Sequence, residues 1–138
     1  MADAVILRKL ESLSRCINRL ESKAPPRVEI LLADLDLQDI ISVNLERAVH
    51  ISVDVASLLL SSTKGKPPAT MRDAFAALAQ NGIISAELSA SLQKAVGFRN
   101  IAVHEYDKVD WKQVFSLVTT RLQDFRAFAR AVLSSTEA

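Results

Sequence analysis

An all-α fold, an up-and-down bundle of four or five helices, is predicted by three observations. Apolar residues recur at spacings of three and four along nearly the whole chain. Turn signals are scarce, with three Gly and four Pro in 138 residues. Leu, Ala, Ile, Val and Ser dominate and aromatics make up only 5%, a composition that favours helices over strands. No strand-like alternation, internal repeat or linker breaks the pattern. With 49% hydrophobic residues there is ample material for one core, so residues 1–138 read as a single domain.

In the first helix Ile6, Leu10, Leu13, Ile17 and Leu20 draw one apolar stripe, with Asp3 as candidate cap and Ala24-Pro25-Pro26 as the stop. The stretch after it, Arg27 to Asp34, reads as a helical turn or two leading into the next element, with Asp34 or Asp36 as caps. From about Leu37 to Leu60 a long helix buries Leu37, Ile41, Leu45, Ala48, Ser52, Val55 and Leu59 on one face. Ile40, Ile51, Val53, Leu58 and Leu60 put apolar groups on its other sides, which suits either a central helix of a monomeric bundle or one that also meets a second protomer. After a polar loop at 62–70, Thr70 and Asp73 restart a short helix that ends near Gln80 at Asn81-Gly82. Ser85 caps a fourth helix with the stripe Leu88, Leu92, Ala95 and Val96. Asp107 or Asp110 opens the last one, where Trp111, Phe115, Val118, Leu122, Phe125, Ala129 and Val132 keep helical spacing.

Composition also narrows the function. A net charge of +1 argues against a protein that coats nucleic acid through many cations, while leaving room for a small local phosphate site. Cys16 is the only cysteine, so no intrachain disulfide forms and a reducing, cytosolic setting is the simplest expectation. The first residues read as neither a signal peptide nor a membrane span. No His/Cys/carboxylate cluster has metal-ligand spacing, and no cofactor motif is present, so no metal and no cofactor are expected. Phe75, Phe115, Phe125 and Phe128 fall on or near apolar stripes and read as core. Cys16 reads as a buried small side chain, and His50 as structural.

The stretch Phe98-Arg-Asn-Ile-Ala-Val-His-Glu-Tyr106 does not fit this pattern. Continuing the fourth helix brings Arg99 to a position where the stripe calls for an apolar residue. A guanidinium there must meet an anion, reach solvent at an interface, or mark the helix end, because burying it alone costs several kcal/mol. Arg99 and His104 are about 140° apart on an ideal helix, so regular helix alone does not pair them. Asn100 and His104 are four residues apart and lie side by side, and Arg99 and Tyr106 align if the helix persists. Gly97 permits close approach of another group to the backbone. A purely structural account remains open at this point, with Arg99 on exposed carbonyls, His104 at the helix end and Tyr106 anchoring the next turn.

The octet Arg99 to Tyr106 resembles the R-x4-H-x-Y signature of the HEPN superfamily, specifically its HepT-like toxins encoded beside minimal nucleotidyltransferase antitoxins. The stretches 44–56 and 67–100 resemble that family's central helix and the run into its motif, and the likeness spans most of residues 5–130. The resemblance implies a homodimeric helical bundle with a metal-independent endoribonuclease site at the dimer cleft. It makes Arg99 and His104 the catalytic pair and Asn100 the supporting polar residue. Tyr106 becomes the tyrosine to which the antitoxin adds AMP, blocking the site. The partners implied are RNA, a cognate nucleotidyltransferase and a second copy of the chain, with no membrane and no cleavage of DNA. Two other readings stand beside this one: a HEPN module that binds nucleotide or RNA without cutting, and a helical protein-interaction partner whose second helix docks another protein.

Overall fold

The computed structural model describes residues 3–63 and 65–136, with the side chain of Asp3 outside the described residues. The fold is all-helical, with α1 (Asp3–Lys23), α2 (Val28–Ala33), α3 (Leu35–Leu60), α4 (Met71–Gln80), α5 (Ala86–His104), a 3-10 turn (Tyr106–Lys108), α6 (Trp111–Thr120) and α7 (Leu122–Thr136). The long central helix α3 packs against α1, α4, α5 and α7, and α5 packs in turn on α4 and α7. Asp39 of α3 meets Tyr106 just beyond the end of α5, and Glu46, Arg47, His50 and Ile51 of α3 border the same hollow as Arg99, so the two helices run antiparallel.

Four helix starts, those of α3, α4, α5 and α6, are set by local side-chain capping, as the sequence predicts. Asp34 accepts from the Leu37 N–H at 3.0 Å, Thr70 from Asp73 at 3.1 Å, Ser85 from Leu88 at 3.0 Å, and Asp110 from Lys112 at 3.0 Å. Gly82, at φ +72°, takes the left-handed conformation just after α4. The alternatives left open at Asp36 and Asp107 resolve to Asp34 and Asp110.

Two features raise the count from the expected four or five helices to seven α-helices among the described residues. The stretch 28–33 forms the short α2, tied to α3 by the buried Gln38 amide, which donates to the Leu31 carbonyl at 3.0 Å. The expected last helix is broken at Arg121 into α6 and α7. There the hydroxyls of Thr119 and Thr120 donate to the carbonyls of Phe115 and Ser116 at 2.7 and 2.6 Å, back-bonding that bends helices. Arg121 also turns to Asp124 at 3.0 Å.

The core gathers the expected stripes: Leu13, Ile17 and Leu20 of α1, Ile41, Leu45 and Val55 of α3, and Leu92, Ala95 and Val96 of α5 are all buried. The extra apolar residues of α3 are half-buried at Ile40, Ile51, Val53 and Leu58, while Leu60 is buried and Val43 is exposed. Burial raises the pKa of the Cys16 thiol, in keeping with a packing role. Phe75 and Phe128 meet edge to face at 5.9 Å with both rings buried. Phe128→Ala is therefore expected to destabilise the fold by about 3–5 kcal/mol, read as a lower urea midpoint.

Candidate active site

Helix α5 carries the octet to the molecular surface. Its inner face is anchored by Leu92, Ala95, Val96 and Ala102, so the residues between and beyond them are held on a rigid element. The helix ends at His104. Glu105, at φ −145° and ψ 60°, leaves helical geometry while its N–H still reaches the Ile101 carbonyl at 2.8 Å. The 3-10 turn follows, pinned by buried Val109, and Asp110 starts α6. Arg99 and Tyr106 therefore do not align along one helix; the turn carries Tyr106 toward α3 instead.

Arg99 is half-buried, and no carboxylate lies within ion-pair distance of it among the described residues. Among the described residues its one side-chain hydrogen bond is a long one, Nη1 to Asn100 Oδ1 at 3.4 Å. The guanidinium lines a hollow of about 260 Å³ together with Glu46, Arg47, His50 and Ile51 of α3. Asn100, the next residue, faces a larger cleft of about 920 Å³ that is also bordered by Arg72, Lys94, Lys108 and Arg121. The end of α5 thus forms a ridge between two depressions, with the motif's arginine on one side and its asparagine on the other. Gly97 does admit a close approach: the Arg72 guanidinium lies so near that an added Cβ would come within 2.7 Å of Nη2.

His104 is exposed and has no side-chain hydrogen bond among the described residues. The expected neighbour Asn100 sits one turn earlier, but its oxygen accepts from Arg99 and not from the imidazole. Exposed Ile101 and Val103 flank this segment on α5, and Val43 is exposed on α3.

Tyr106 is 38% exposed, its ring edge-packed on Trp111 at 5.7 Å, and its hydroxyl donates to Asp39 Oδ1 at 2.7 Å. Partial burial raises the phenol's pKa well above its ordinary value. The Asp39 hydrogen bond and the negative charges of Asp39 and Glu46 add to that, and the Ser42 hydroxyl acts the other way.

Asp39, Glu46 and Arg47 also belong to this surface, though no motif in the sequence marks them, and so does His50, which its apolar neighbours mark as structural. His50 lies on the wall of the Arg99 hollow, 3.6 Å from Asp54. A signal for this surface was present: Asp39, Ser42, Glu46 and His50 fall three or four residues apart and draw a polar stripe along an otherwise apolar helix. Among the described residues no group of three or more His, Cys, Asp or Glu side chains converges as a metal site, and no helix is long and apolar enough to cross a membrane.

Residues 11–132 match the ribonuclease HepT-like family. The chain is 35% identical over 124 residues to the mRNA nuclease HepT of Shewanella oneidensis, covering 90% of this chain and 92% of that one. It is 28% identical over 130 residues to the tRNA nuclease HepT of Aphanizomenon flos-aquae, covering 94% and 88%. Among solved structures it superposes with a TM-score of 0.88 and 34% identity on the tri-AMPylated Shewanella oneidensis HEPN toxin in complex with MNT antitoxin, covering 97% of this chain and 99% of that one.

Proposed function

The chain belongs to the ribonuclease HepT-like family and is an endoribonuclease of the toxin–antitoxin type, and we propose that it cuts RNA without a metal at a site shared by two copies of the chain. The observation that carries this reading is Arg99: a guanidinium with no carboxylate partner among the described residues, lining an open hollow five residues before an exposed histidine. A group held that way is ready for an anion supplied from outside. The interaction-partner reading calls for Arg99 to be fully paired within the chain and away from any depression, which is not what α3 and α5 form.

The chemistry follows from what ribose-phosphate cleavage demands. The 2′-hydroxyl attacks the adjacent phosphorus, forming a 2′-O–P bond as the P–O5′ bond breaks. One base must take the 2′ proton and one acid must protonate O5′. A single octet offers one imidazole, so two copies related by a two-fold axis supply both, with the two Arg99 groups meeting the charge that builds on the phosphate. An imidazole nitrogen can accept a proton or, once protonated, donate one, so the two His104 groups can take the two roles. Exposed Val43, Ile101 and Val103 supply apolar surface around the motif for the second copy. Asn100 steadies the Arg99 guanidinium and offers its amide to a phosphate oxygen on the side of the larger cleft.

Regulation follows from Tyr106, which stands just beyond the catalytic histidine. AMP attached to its hydroxyl places bulk and negative charge beside the RNA site and weakens the attraction for phosphate. The antitoxin in this reading is a nucleotidyltransferase encoded with the chain.

The expected result with purified protein is cleavage of RNA in the presence of EDTA, with a 2′,3′-cyclic phosphate on the upstream product. DNA, which lacks the 2′-hydroxyl, stays intact. Loss of cutting in EDTA that returns only when a divalent ion is added back would reject the metal-free mechanism.

A further inference from the structure

The contact between Tyr106 and Asp39 joins residues 67 positions apart and has no part in the RNA chemistry above. Resting on the reading of Tyr106 as the AMP acceptor, we propose that Asp39 of this chain is the general base for that modification, so that the toxin carries part of the catalytic machinery used to silence it.

Geometry supports this first. The phenolic proton already points at Asp39 Oδ1 across 2.7 Å, within the range in which a positioned carboxylate removes a proton in a transition state. The carboxylate is not committed elsewhere: among the described residues Asp39 makes no ion pair and no other side-chain hydrogen bond. The ring is held by its edge contact with Trp111 while a large part of it stays open to solvent, so an incoming nucleotide can approach the hydroxyl oxygen.

The electrostatic setting explains why a base is needed. Partial burial, with Asp39 and Glu46 beside the hydroxyl, disfavours a free phenolate, so the nucleophile is not ionised in advance. The proton must leave as the new bond forms. In the step, the Tyr106 oxygen attacks the α-phosphorus of ATP, the bond from that phosphorus to the bridging oxygen breaks, and pyrophosphate departs with that electron pair. The phenolic proton moves to Asp39, which later loses it to solvent. ATP is the only co-reactant, and no electron is gained or lost.

The same arrangement gives the α3 stripe two uses. Its Asp39 end faces the regulatory tyrosine, and its Glu46 to His50 end faces Arg99, so one helix face spans the modification site and the phosphate site.

The test is a single-turnover measurement with saturating cognate nucleotidyltransferase and ATP, following intact mass over time for the wild type, D39N, D39E and Tyr106→Phe. Asp39 is exposed on α3, so neither substitution there disturbs the core. D39N keeps a hydrogen-bonding partner for the hydroxyl but removes the base, and its rate of AMP addition is expected to fall on the order of 100-fold. D39E, which keeps a carboxylate, is expected to recover most of the rate. Transfer to D39N at the wild-type rate overturns the proposal, as does an equal loss in D39N and D39E, which would show that restoring a carboxylate does not restore the rate. AMP gained by Tyr106→Phe defeats the choice of acceptor instead, so the two failures are told apart.

Discussion

Replacing His104 by Ala is expected to abolish RNA cleavage while leaving the helical fold and the assembly intact. In a two-copy site the substitution removes both the proton acceptor and the proton donor. Each such group is worth 10²–10⁴-fold in rate, so the loss should reach on the order of 10⁴-fold or more. The fold has little to lose. His104 is the final residue of α5, it is exposed, and its side chain makes no hydrogen bond among the described residues. Surface changes of that kind usually shift stability by no more than about 0.5 kcal/mol. The decisive comparison is the cleavage rate of rigorously purified H104A against wild type, with far-ultraviolet circular dichroism and sedimentation as controls. Cutting retained by the variant would remove His104 from the proposed role.

The second large effect concerns Tyr106→Phe. Incubation with the cognate nucleotidyltransferase and ATP is expected to raise the mass of the wild-type chain by one or more AMP units, and to leave the variant unchanged. Phenylalanine keeps the ring that packs on Trp111 and deletes only the hydroxyl bonded to Asp39. The structural cost is thus about one hydrogen bond, roughly 1 kcal/mol, against complete loss of the acceptor atom. In a coupled assay the antitoxin and ATP should suppress RNA cleavage by the wild type and fail to suppress it in the variant. AMP found on a serine or lysine would defeat this account of regulation even if cleavage were silenced.

Both experiments bear on one surface whose parts differ in how they can be read. The octet is local, and its departure from the apolar stripe at Arg99 is visible in one dimension because helical periodicity assigns a face to each position. What lies across from it is not visible that way. Arg99 meets Glu46, Arg47 and His50 only because α3 runs antiparallel beside α5, and the same packing brings Asp39 to Tyr106. His50 shows the difficulty well: between Val49 and Ile51 it looks like part of a core helix, yet it is exposed on the hollow that Arg99 lines.

Helix identity, the apolar stripes and the caps at Asp34, Thr70, Ser85 and Asp110 were legible in the linear chain, because a side chain that bonds a backbone N–H two or three residues ahead, or repeats with the helical period, needs no distant partner. The break at Arg121 was not, since the stripe from Trp111 to Val132 runs through it and the bend depends on where the Thr119 and Thr120 hydroxyls and the Arg121 side chain settle. Nor was the turn that swings Tyr106 off the line of α5 and onto α3, or the ridge that sends Arg99 and Asn100 to opposite depressions. Those features arise from how whole helices dock, and docking is decided by the summed packing of side chains far apart in sequence.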